Sequence, residues 1–535
     1  YLLGDRPVDN DEVFAKINEK LKAENDQLRA ANKSLNDSIA ERNAKITELN
    51  NKAAQLNLQI EANQRSLDAA KKDLAQAKAD RAAAVEAAKL IEQHQKDLYK
   101  KYAKDFSPKV YEELPAKKAK RSISGKITQE EIDECAQRIL DMVARCKELQ
   151  KGKKRKYTQE ERIRVAQEAA EEGIVLLKNE GVLPLKKEQT VSACGLYGAP
   201  YSAGRDHSHM LAGGGSGKVI WLTKNFDIPE ALRKQGFTVD YEVAFSDYGI
   251  ENAYMNPRTA IENAALRDVN IVFAGTGATI EMEGKDRERM KLPDMQERAI
   301  LDTAATNSNT VVVLFAGAPI DMSAWINEVA AVVWAGFPGE RGDEALANIL
   351  TGKVNPSGKL SETFSRCYED TPASQGYIDG TVTRYEEGLD VGYRYFDTYG
   401  VDVLFPFGHG LSYAEFDYRN LVLKSTGDNL EVDFELENGS EIDGKEIAQV
   451  YVRAVSSYVY RPYKELKRFA KTLVKAGKTE KVNVTLDKRA FEYWSVANDG
   501  WEIEDGIYEI IVASSVSDEK LKSKIRITDG KIILI

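Results

Sequence analysis

The sequence predicts a multidomain protein with a long α-helical coiled coil, then an α/β sandwich with a mostly parallel sheet, then an all-β sandwich. Three observations support this order. Residues 11–90 contain neither glycine nor proline and repeat apolar side chains at a spacing of three and four. Apolar runs of strand length then alternate with helical segments up to about Ile349. From about Phe405 onward, apolar and polar residues alternate with the period of two that half-buried strands require.

Composition restricts the possible partners and compartments. The chain of 535 residues carries a formal net charge of −10, so nucleic acid is not expected as a partner. Its four cysteines make no disulfide framework and show no Cys-x-x-Cys spacing, which favours a reducing compartment and argues against a metal site. We expect a cytoplasmic location for the globular part and assign none to the coiled coil. No membrane span, signal peptide or cofactor is predicted.

Residues 11–120 are predicted to form a coiled-coil rod and its exit segment. Placing Leu21 at position d puts the apolar residues of this region in one unbroken heptad register. One continuous helix of this length would be on the order of 120 Å long, so it cannot form the core of a compact domain. We therefore expect it to dimerise. Residues 1–10, which precede it, look like a polar leader or an expression remnant.

The seam of the predicted rod is not purely apolar. Asparagine occupies three successive a positions: Asn18, Asn25 and Asn32. A buried asparagine at position a favours two parallel helices in a fixed register and lowers their stability, so we expect a parallel homodimer through residues 11–90. An impure seam with an alanine-rich end resembles streptococcal M-type surface proteins, which bind host plasma proteins.

The globular part divides by its strand pattern. A helical segment over residues 121–165 precedes a predicted α/β domain over residues 166–400, and an all-β domain follows over residues 401–535. Within the first segment, a second helix is expected from about Gln159 to Gly173. Three apolar runs are typical of strands buried in a parallel sheet: Val269–Ala274, Val311–Phe315 and Ala331–Trp334.

The segment from Gly275 to Pro293 carries the clearest chemical signal. It follows a buried strand, and ligands of open α/β sheets bind beyond the carboxyl ends of strands. It holds Glu281 and Glu283 beside an Asp-Arg pair, a setting in which a nearby cation could adjust the pKa of an acid/base carboxylate. Taken alone, a charged loop after a strand is more often simply solvated.

An ordered series of motifs gives this loop a more specific interpretation. The two globular domains resemble the C-terminal half of family 3 glycoside hydrolases of the β-glucosidase type, with an α/β sandwich and a fibronectin-III-like domain. The motifs occur in the family's order: helix Ser124–Leu140, domain entry Gly173–Leu185, substrate loop Gly213–Gly217, acid/base loop Glu283–Arg287 with Leu292-Pro293, then Phe337-Pro-Gly339, Asn355–Phe364, Val391–Phe396 and Phe405–Tyr413.

The resemblance implies retaining hydrolysis of terminal β-linked sugars, with glucosides as the leading substrate. It assigns the acid/base role to Glu283, with Glu281 as the alternative, and substrate contact to Gly215 and Ser216 of the glycine-rich loop. Asp286 and Arg287 fall in the same substrate region, where we expect them to brace the loop by an ion pair. Three residues that suggest a metal site, Asp206, His207 and His209, lack a further ligand at a recognisable spacing and are interpreted as a solvated loop.

The catalytic partner of the acid/base is missing from the pattern. The family carries its nucleophilic aspartate on a (β/α)₈ barrel of roughly 250 residues, which the coiled-coil region cannot accommodate. Phe245-Ser-Asp-Tyr248 imitates the nucleophile sequence, but Asp247 lies within the α/β domain and is interpreted as a coincidence. Three explanations stay open: a fusion of a rod with a truncated glycosidase, a natural variant that only binds, or a barrel supplied by another chain. The alternative function is a dimerising scaffold or adhesin with a passenger domain.

Overall fold

The computed structural model describes residues 15–34, 36, 42, 45, 129–151, 157–199, 211, 214–217, 226–245, 257–374, 376, 377 and 384–535. The chain divides into two compact units, residues 1–154 and 155–535. In the first unit, residues 15–34 are helical and a second helix spans Gln129–Lys151. Residues 36, 42 and 45 are also helical, and the other residues of the predicted rod lie outside the described ones, so the coiled coil and its dimer remain predictions.

The second unit begins with a mixed six-stranded sheet. Its strands are β1 Val175–Asn179, β2 Thr190–Cys194, β3 Thr238–Glu242, β4 Val269–Gly275, β5 Thr310–Phe315 and β6 Ala331–Trp334. Their spatial order is β1-β6-β5-β4-β2-β3. All neighbours are parallel except β1, which runs antiparallel to β6 at the edge. The three predicted strands are confirmed.

Both faces of this sheet are buried. The side chains of β5 alternate between two apolar clusters, with Val311 and Val313 in one and Val312 and Leu314 in the other. This burial explains why the central strands are continuous apolar runs. The helices of the unit are Gln159–Gly173, Ile228–Lys234, Pro257–Leu266, Gly277–Ile280, Asp294–Ala304, Gly342–Leu350 and Tyr393–Tyr399. The predicted helix Gln159–Gly173 is confirmed, and a capping box of Thr158 and Glu161 begins it.

An all-β sandwich follows the α/β sheet. A short pair, β7 Phe364–Ser365 and β8 Val403–Phe405, precedes it. Its strands are β9 Phe416–Thr426, β10 Asn429–Asn438, β11 Gly444–Ala454, β12 Glu465–Val474, β13 Thr479–Leu486, β14 Tyr493–Ser495, β15 Gly500–Glu502, β16 Gly506–Ser515, β17 Asp518–Thr528 and β18 Lys531–Leu534. Three strands (β13-β10-β9) form one sheet and five (β12-β11-β16-β17-β18) the other. The inward side chains of both sheets share one apolar core, which confirms the predicted sandwich.

The segment between the two domains closes the edge of the α/β sheet. The Leu411 N–H donates to the Leu176 carbonyl of edge strand β1 at 2.8 Å. Lys359 lies 3.3 Å from Glu446 of β11, with their side chains 11% and 5% exposed. This buried ion pair links the end of the α/β domain to strand β11 of the sandwich.

Candidate functional site

The candidate site lies where the parallel strands β4 and β5 end. Because both strands run the same way, the residues that follow them meet at one edge of the sheet. The end of β4 is held in place by Gln296, whose buried side chain donates to the Gly275 carbonyl at 3.0 Å and accepts from the Gly275 N–H at 2.8 Å. A single helical turn, Gly277–Ile280, then leads into the two glutamates.

Glu281 is held by three groups in a largely buried position. Thr276 Oγ1 donates to its Oε1 at 2.8 Å, and the Gly317 N–H, just beyond β5, donates to its Oε2 at 2.7 Å. Arg287 Nη1 lies 3.3 Å from Oε1, and the Glu281 side chain is 12% exposed. This carboxylate therefore fixes the acidic loop to the ends of two strands.

The glycine-rich loop pairs with the acidic loop through the backbone. The Gly214 N–H donates to the Glu281 carbonyl at 2.8 Å, and the Glu283 N–H donates to the Gly214 carbonyl at 3.3 Å. Gly214 and Met282 thus form an isolated parallel bridge. The two loops that the sequence assigns to one substrate site are therefore in contact.

Glu283 occupies the tip of a tight turn. The Lys285 N–H donates to the Met282 carbonyl at 3.2 Å, and Gly284 has a φ of 77°. A positive φ at the third residue is the geometry of a type II turn, which glycine adopts without strain. The turn exposes the Glu283 side chain to solvent, in contrast to that of Glu281.

The carboxylate of Glu283 is bound by Ser216. Its Oε2 accepts from the Ser216 N–H at 2.7 Å and from Ser216 Oγ at 2.5 Å. The hydroxyl bond first, and then the backbone bond, hold the pKa of Glu283 below its usual range. Gly215 has a φ of 82°, and a Cβ there would lie 2.5 Å from Glu283 Cβ, so only glycine permits this approach.

The structure corrects the ion pair expected between Asp286 and Arg287. Arg287 points inward, where it pairs with Glu281 and donates to the Pro319 carbonyl at 3.1 Å and to the Met290 carbonyl at 3.2 Å. Asp286 instead accepts from the Tyr377 hydroxyl at 2.7 Å. Arg287 is 16% exposed and engaged inside the loop, whereas Asp286 remains on the exposed side with Glu283.

Three residues that complete the site were absent from the sequence predictions. Thr276 and Gly317 hold Glu281, and Tyr377 holds Asp286. Gly317 follows a predicted buried strand by two residues, which was a usable signal, since a glycine there allows close approach of another chain segment. No local pattern points to Thr276 or Tyr377.

Several other sequence candidates lie outside the described residues: Asp206, His207, His209 and Asp247. Within the described ranges, no three His, Cys, Asp or Glu side chains are grouped so that they could hold a metal ion. None of the helices described is both long and apolar enough to cross a bilayer.

Comparison with known families identifies both globular domains. Residues 174–413 match the glycosyl hydrolase family 3 C-terminal domain, and residues 446–516 match a fibronectin type III-like domain. The chain thus carries a C-terminal domain of glycosyl hydrolase family 3, followed by a fibronectin type III-like domain. The loops that meet at Glu281 and Glu283 lie within the first of these two domains.

Similar proteins support this assignment over about three quarters of the chain. The thermostable β-glucosidase B of Acetivibrio thermocellus is 38% identical over 414 residues, which are 76% of this chain and 53% of that protein. An exo-α-(1→6)-L-arabinopyranosidase of Bifidobacterium breve is 33% identical over 408 residues, 74% of this chain and 52% of that protein. The crystal structure of a family 3 β-glucosidase from Bifidobacterium adolescentis superposes with a TM-score of 0.67 at 31% identity, covering 76% of this chain and 59% of that one. The chain thus spans about half the length of the curated relatives it matches.

Proposed function

We propose that this chain supplies the acid/base half of a retaining glycosidase that acts on terminal β-linked glucosides. The observation that carries the proposal is the exposed carboxylate of Glu283, presented at the carboxyl edge of the sheet in contact with Ser216 of the glycine-rich loop. Glu281, the alternative, is committed to Thr276, Gly317 and Arg287. We therefore favour Glu283 over Glu281 as the acid/base.

The proposed reaction needs a second carboxylate about 5 Å from the acid/base. In the first step that carboxylate attacks the anomeric carbon while Glu283 gives its proton to the departing glycosidic oxygen. In the second step Glu283 takes a proton from water, and the water oxygen displaces the enzyme from the sugar. Every contact found for the Glu283 side chain in the described ranges is to the glycine-rich loop. We propose that the nucleophile comes from a barrel domain, as the family resemblance implies.

Substrate choice follows from the relatives. Several are β-glucosidases, and two are exo-α-(1→6)-L-arabinopyranosidases. We propose a β-D-glucoside as the main substrate and an α-L-arabinopyranoside as the competitor. Comparing kcat/KM for the two nitrophenyl glycosides in the assay below would separate them.

Complementation tests the proposal directly. The full chain would be mixed with the isolated barrel domain of the Acetivibrio thermocellus relative and assayed on 4-nitrophenyl β-D-glucoside. We expect hydrolysis with the wild-type chain, a loss of at least about 100-fold with Glu283→Gln, since general acid/base catalysis contributes roughly that much or more, and a smaller loss with Glu281→Gln.

An activated leaving group gives the decisive control. With 2,4-dinitrophenyl β-D-glucoside, departure needs no proton, so added azide should rescue turnover of the Glu283→Gln mixture as a β-glucosyl azide. A Glu283→Gln chain as active as the wild type would overturn the assignment. The positive control is the relative's barrel mixed with the relative's own C-terminal half. If that control hydrolyses the substrate and the mixture with this chain does not, the proposed activity is overturned.

A second candidate function, a dimerising scaffold, rests on the helix over residues 15–34. Ile17, Leu21 and Leu28 are 48%, 56% and 65% exposed, and the two leucines are seven residues apart. Exposed leucines at heptad spacing are typical of a coiled-coil seam whose partner is absent. We propose that the chain forms a parallel dimer through residues 11–90. Sedimentation equilibrium of the full chain tests this, because a mass of 59.6 kDa at micromolar concentration, rather than twice that, would contradict it.

A further inference from the structure

We infer that Ser216 couples sugar binding to protonation of Glu283: in the empty site it holds Glu283 as a carboxylate, and a sugar hydroxyl that takes Ser216 Oγ releases Glu283 to accept a proton. This inference rests on the proposed function, because it gives Glu283 the acid/base role. Ser216 would then be a positioning residue for Glu283 as well as a sugar contact.

The contact between the two residues joins loops that are 67 positions apart in the chain. Both donors of Ser216, its N–H and its Oγ, reach the same oxygen, Oε2 of Glu283. A carboxylate oxygen accepts both bonds more strongly than the carbonyl oxygen of a carboxylic acid would, so this arrangement favours the ionised form of Glu283.

The loop geometry supports a fixed contact. Gly215 takes a φ of 82°, and its missing Cβ leaves the space that Glu283 Cβ and Oε2 occupy. Backbone bonds between Gly214 and the segment from Glu281 to Glu283 hold the two loops in register. The backbone of the glycine-rich loop therefore places Ser216 next to Glu283. The hydroxyl group of Ser216 can still rotate toward another acceptor.

Other charged groups of the acidic loop are directed elsewhere. Glu281 and Arg287 face each other inside the loop, and Asp286 accepts from Tyr377. Lys285 closes the turn through its backbone, and the pKa of Glu283 is lowered by the two Ser216 bonds rather than by a neighbouring charge. The protonation of Glu283 is therefore governed by Ser216 before any neighbouring charge.

The two-step reaction makes such a coupling useful. A general acid must hold a proton when the glycosidic bond breaks, yet Glu283 clamped by Ser216 favours the charged form. A sugar hydroxyl that accepts from Ser216 Oγ removes one donor. Glu283 can then take a proton from a hydronium ion of the solvent, which leaves water, and pass that proton to the departing oxygen. In the second step Glu283 must be a carboxylate that takes the proton of water, and a returning Ser216 bond stabilises that form.

Carbon-13 NMR titration of the full chain tests the Ser216–Glu283 clamp, by which we mean the two hydrogen bonds from Ser216 to Glu283 Oε2, and it needs no turnover. Glutamate labelled at the carboxyl carbon would be incorporated, and Glu283→Gln would identify the Glu283 signal by its disappearance. We expect the wild-type Glu283 signal to titrate below the ordinary glutamate range. In Ser216→Ala its midpoint should rise toward that range, and in Ser216→Thr, which keeps a hydroxyl donor, it should return toward the wild-type value.

Ser323 offers a matched control. Its N–H and Oγ donate to Asp321 Oδ1 at 2.9 and 2.5 Å, the same pair of bonds on another carboxylate. Ser323→Ala should leave the Glu283 midpoint unchanged. Equal midpoints in wild type and Ser216→Ala would overturn the inference, and so would a shift in Ser323→Ala as large as that in Ser216→Ala.

The outcome is separable from that of the proposed function. If the titration midpoint of Glu283 depends on Ser216 but the complementation assay gives no hydrolysis, the proposed activity is rejected and the Ser216–Glu283 clamp is retained. If hydrolysis depends on Glu283 but the titration midpoint of Glu283 does not depend on Ser216, the clamp is rejected and the proposed activity is retained. In the active mixture, Ser216→Ala should move the alkaline limb of the kcat/KM profile to higher pH, because activity is lost as the acid deprotonates.

Discussion

Arg287 Nη1 lies 3.3 Å from Glu281 Oε1, and the two side chains are only 16% and 12% exposed. Two residues along the chain, the Glu283 side chain is exposed, and among the residues that the structure describes it accepts its hydrogen bonds from Ser216 of the glycine-rich loop. One loop therefore carries two carboxylates in opposite environments. The inner one, Glu281, anchors the loop through an ion pair and two hydrogen bonds. The outer one, Glu283, is exposed to solvent and accepts two hydrogen bonds from Ser216.

Replacing Arg287 should destabilise the loop strongly. Arg287→Met keeps much of the side-chain volume but leaves the Glu281 carboxylate without its counter-ion in a largely dry position. Breaking a buried pair from one side costs about 3 kcal/mol, so we expect a loss of that order in the free energy of unfolding measured by urea denaturation.

An exposed arginine on the same segment is the control for this loss. Arg289 pairs with Asp294 at 2.7 Å, but the two side chains are 49% and 85% exposed. Arg289→Met should cost less than about 1 kcal/mol, since surface pairs contribute little. Equal losses in the two variants would show that the burial of Arg287 does not decide its contribution.

A methyl group at Gly215 should disturb Glu283, whereas one at Gly284 should not. Both glycines have a positive φ, 82° and 77°, so alanine at either position costs roughly 1 to 2 kcal/mol of backbone strain. Only the Cβ at position 215 would also collide with Glu283, at 2.5 Å from its Cβ, while nothing lies within 4 Å at position 284.

The two alanine variants can be distinguished by the Glu283 carboxyl signal and by thermal unfolding. Gly284→Ala should lower the unfolding temperature and leave the Glu283 carboxyl chemical shift near the wild-type value. Gly215→Ala should lower the unfolding temperature further and move that signal, because the Ser216 bonds are lost. An unmoved signal in Gly215→Ala would contradict the close approach of the two loops.

Local sequence predicts the central strands well because burial on both faces demands apolar runs of strand length. Val269–Ala274 and Val311–Phe315 fall within β4 and β5 for this reason. The same signal reports burial rather than pairing. The apolar stretch from Val182 to Leu185 is buried except at Pro184, yet it forms no strand. Pro184 has no N–H to donate to a neighbouring strand, and this is what distinguishes the stretch from β1.

The site shows where prediction from sequence ends. Family motifs placed Glu283 and Ser216 in one region, but their hydrogen bonds depend on the path of two loops separated by 67 residues. The partner of Arg287 was predicted to be its sequence neighbour Asp286. Adjacent side chains in a tight loop point in different directions, so the inward Arg287 meets Glu281 and the outward Asp286 meets Tyr377.

The asparagines of the predicted rod should lower its stability while defining its assembly. Replacing Asn25 and Asn32 by valine would bury apolar groups at two a positions of the seam, so we expect a higher melting temperature of the helical circular-dichroism signal. The same change should broaden the mass distribution in sedimentation, because the register-setting amides are gone. Gln27→Val, at position c of the same register, should produce neither effect, and unchanged behaviour of the seam variant would contradict the assigned register.

His409 should make the stability of the α/β domain depend on pH. Its ring stacks on Phe405 with centroids 5.1 Å apart, and Nε2 lies 2.8 Å from the Leu177 carbonyl, to which it donates as a neutral imidazole. Burial lowers the pKa of His409; the Leu177 bond and Asp518 oppose this and the charge of Lys359 adds to it. The unfolded chain therefore takes up a proton near the ordinary value of about 6.5 while the folded chain stays neutral. The free energy of unfolding should be level above about pH 7 and fall as the pH drops below 6.5 toward the folded pKa.

His409→Gln, which keeps a neutral donor and cannot titrate, should lack this part of the fall. Urea unfolding of both proteins between pH 8 and 5 measures the difference, and parallel curves would show that His409 is not the group responsible.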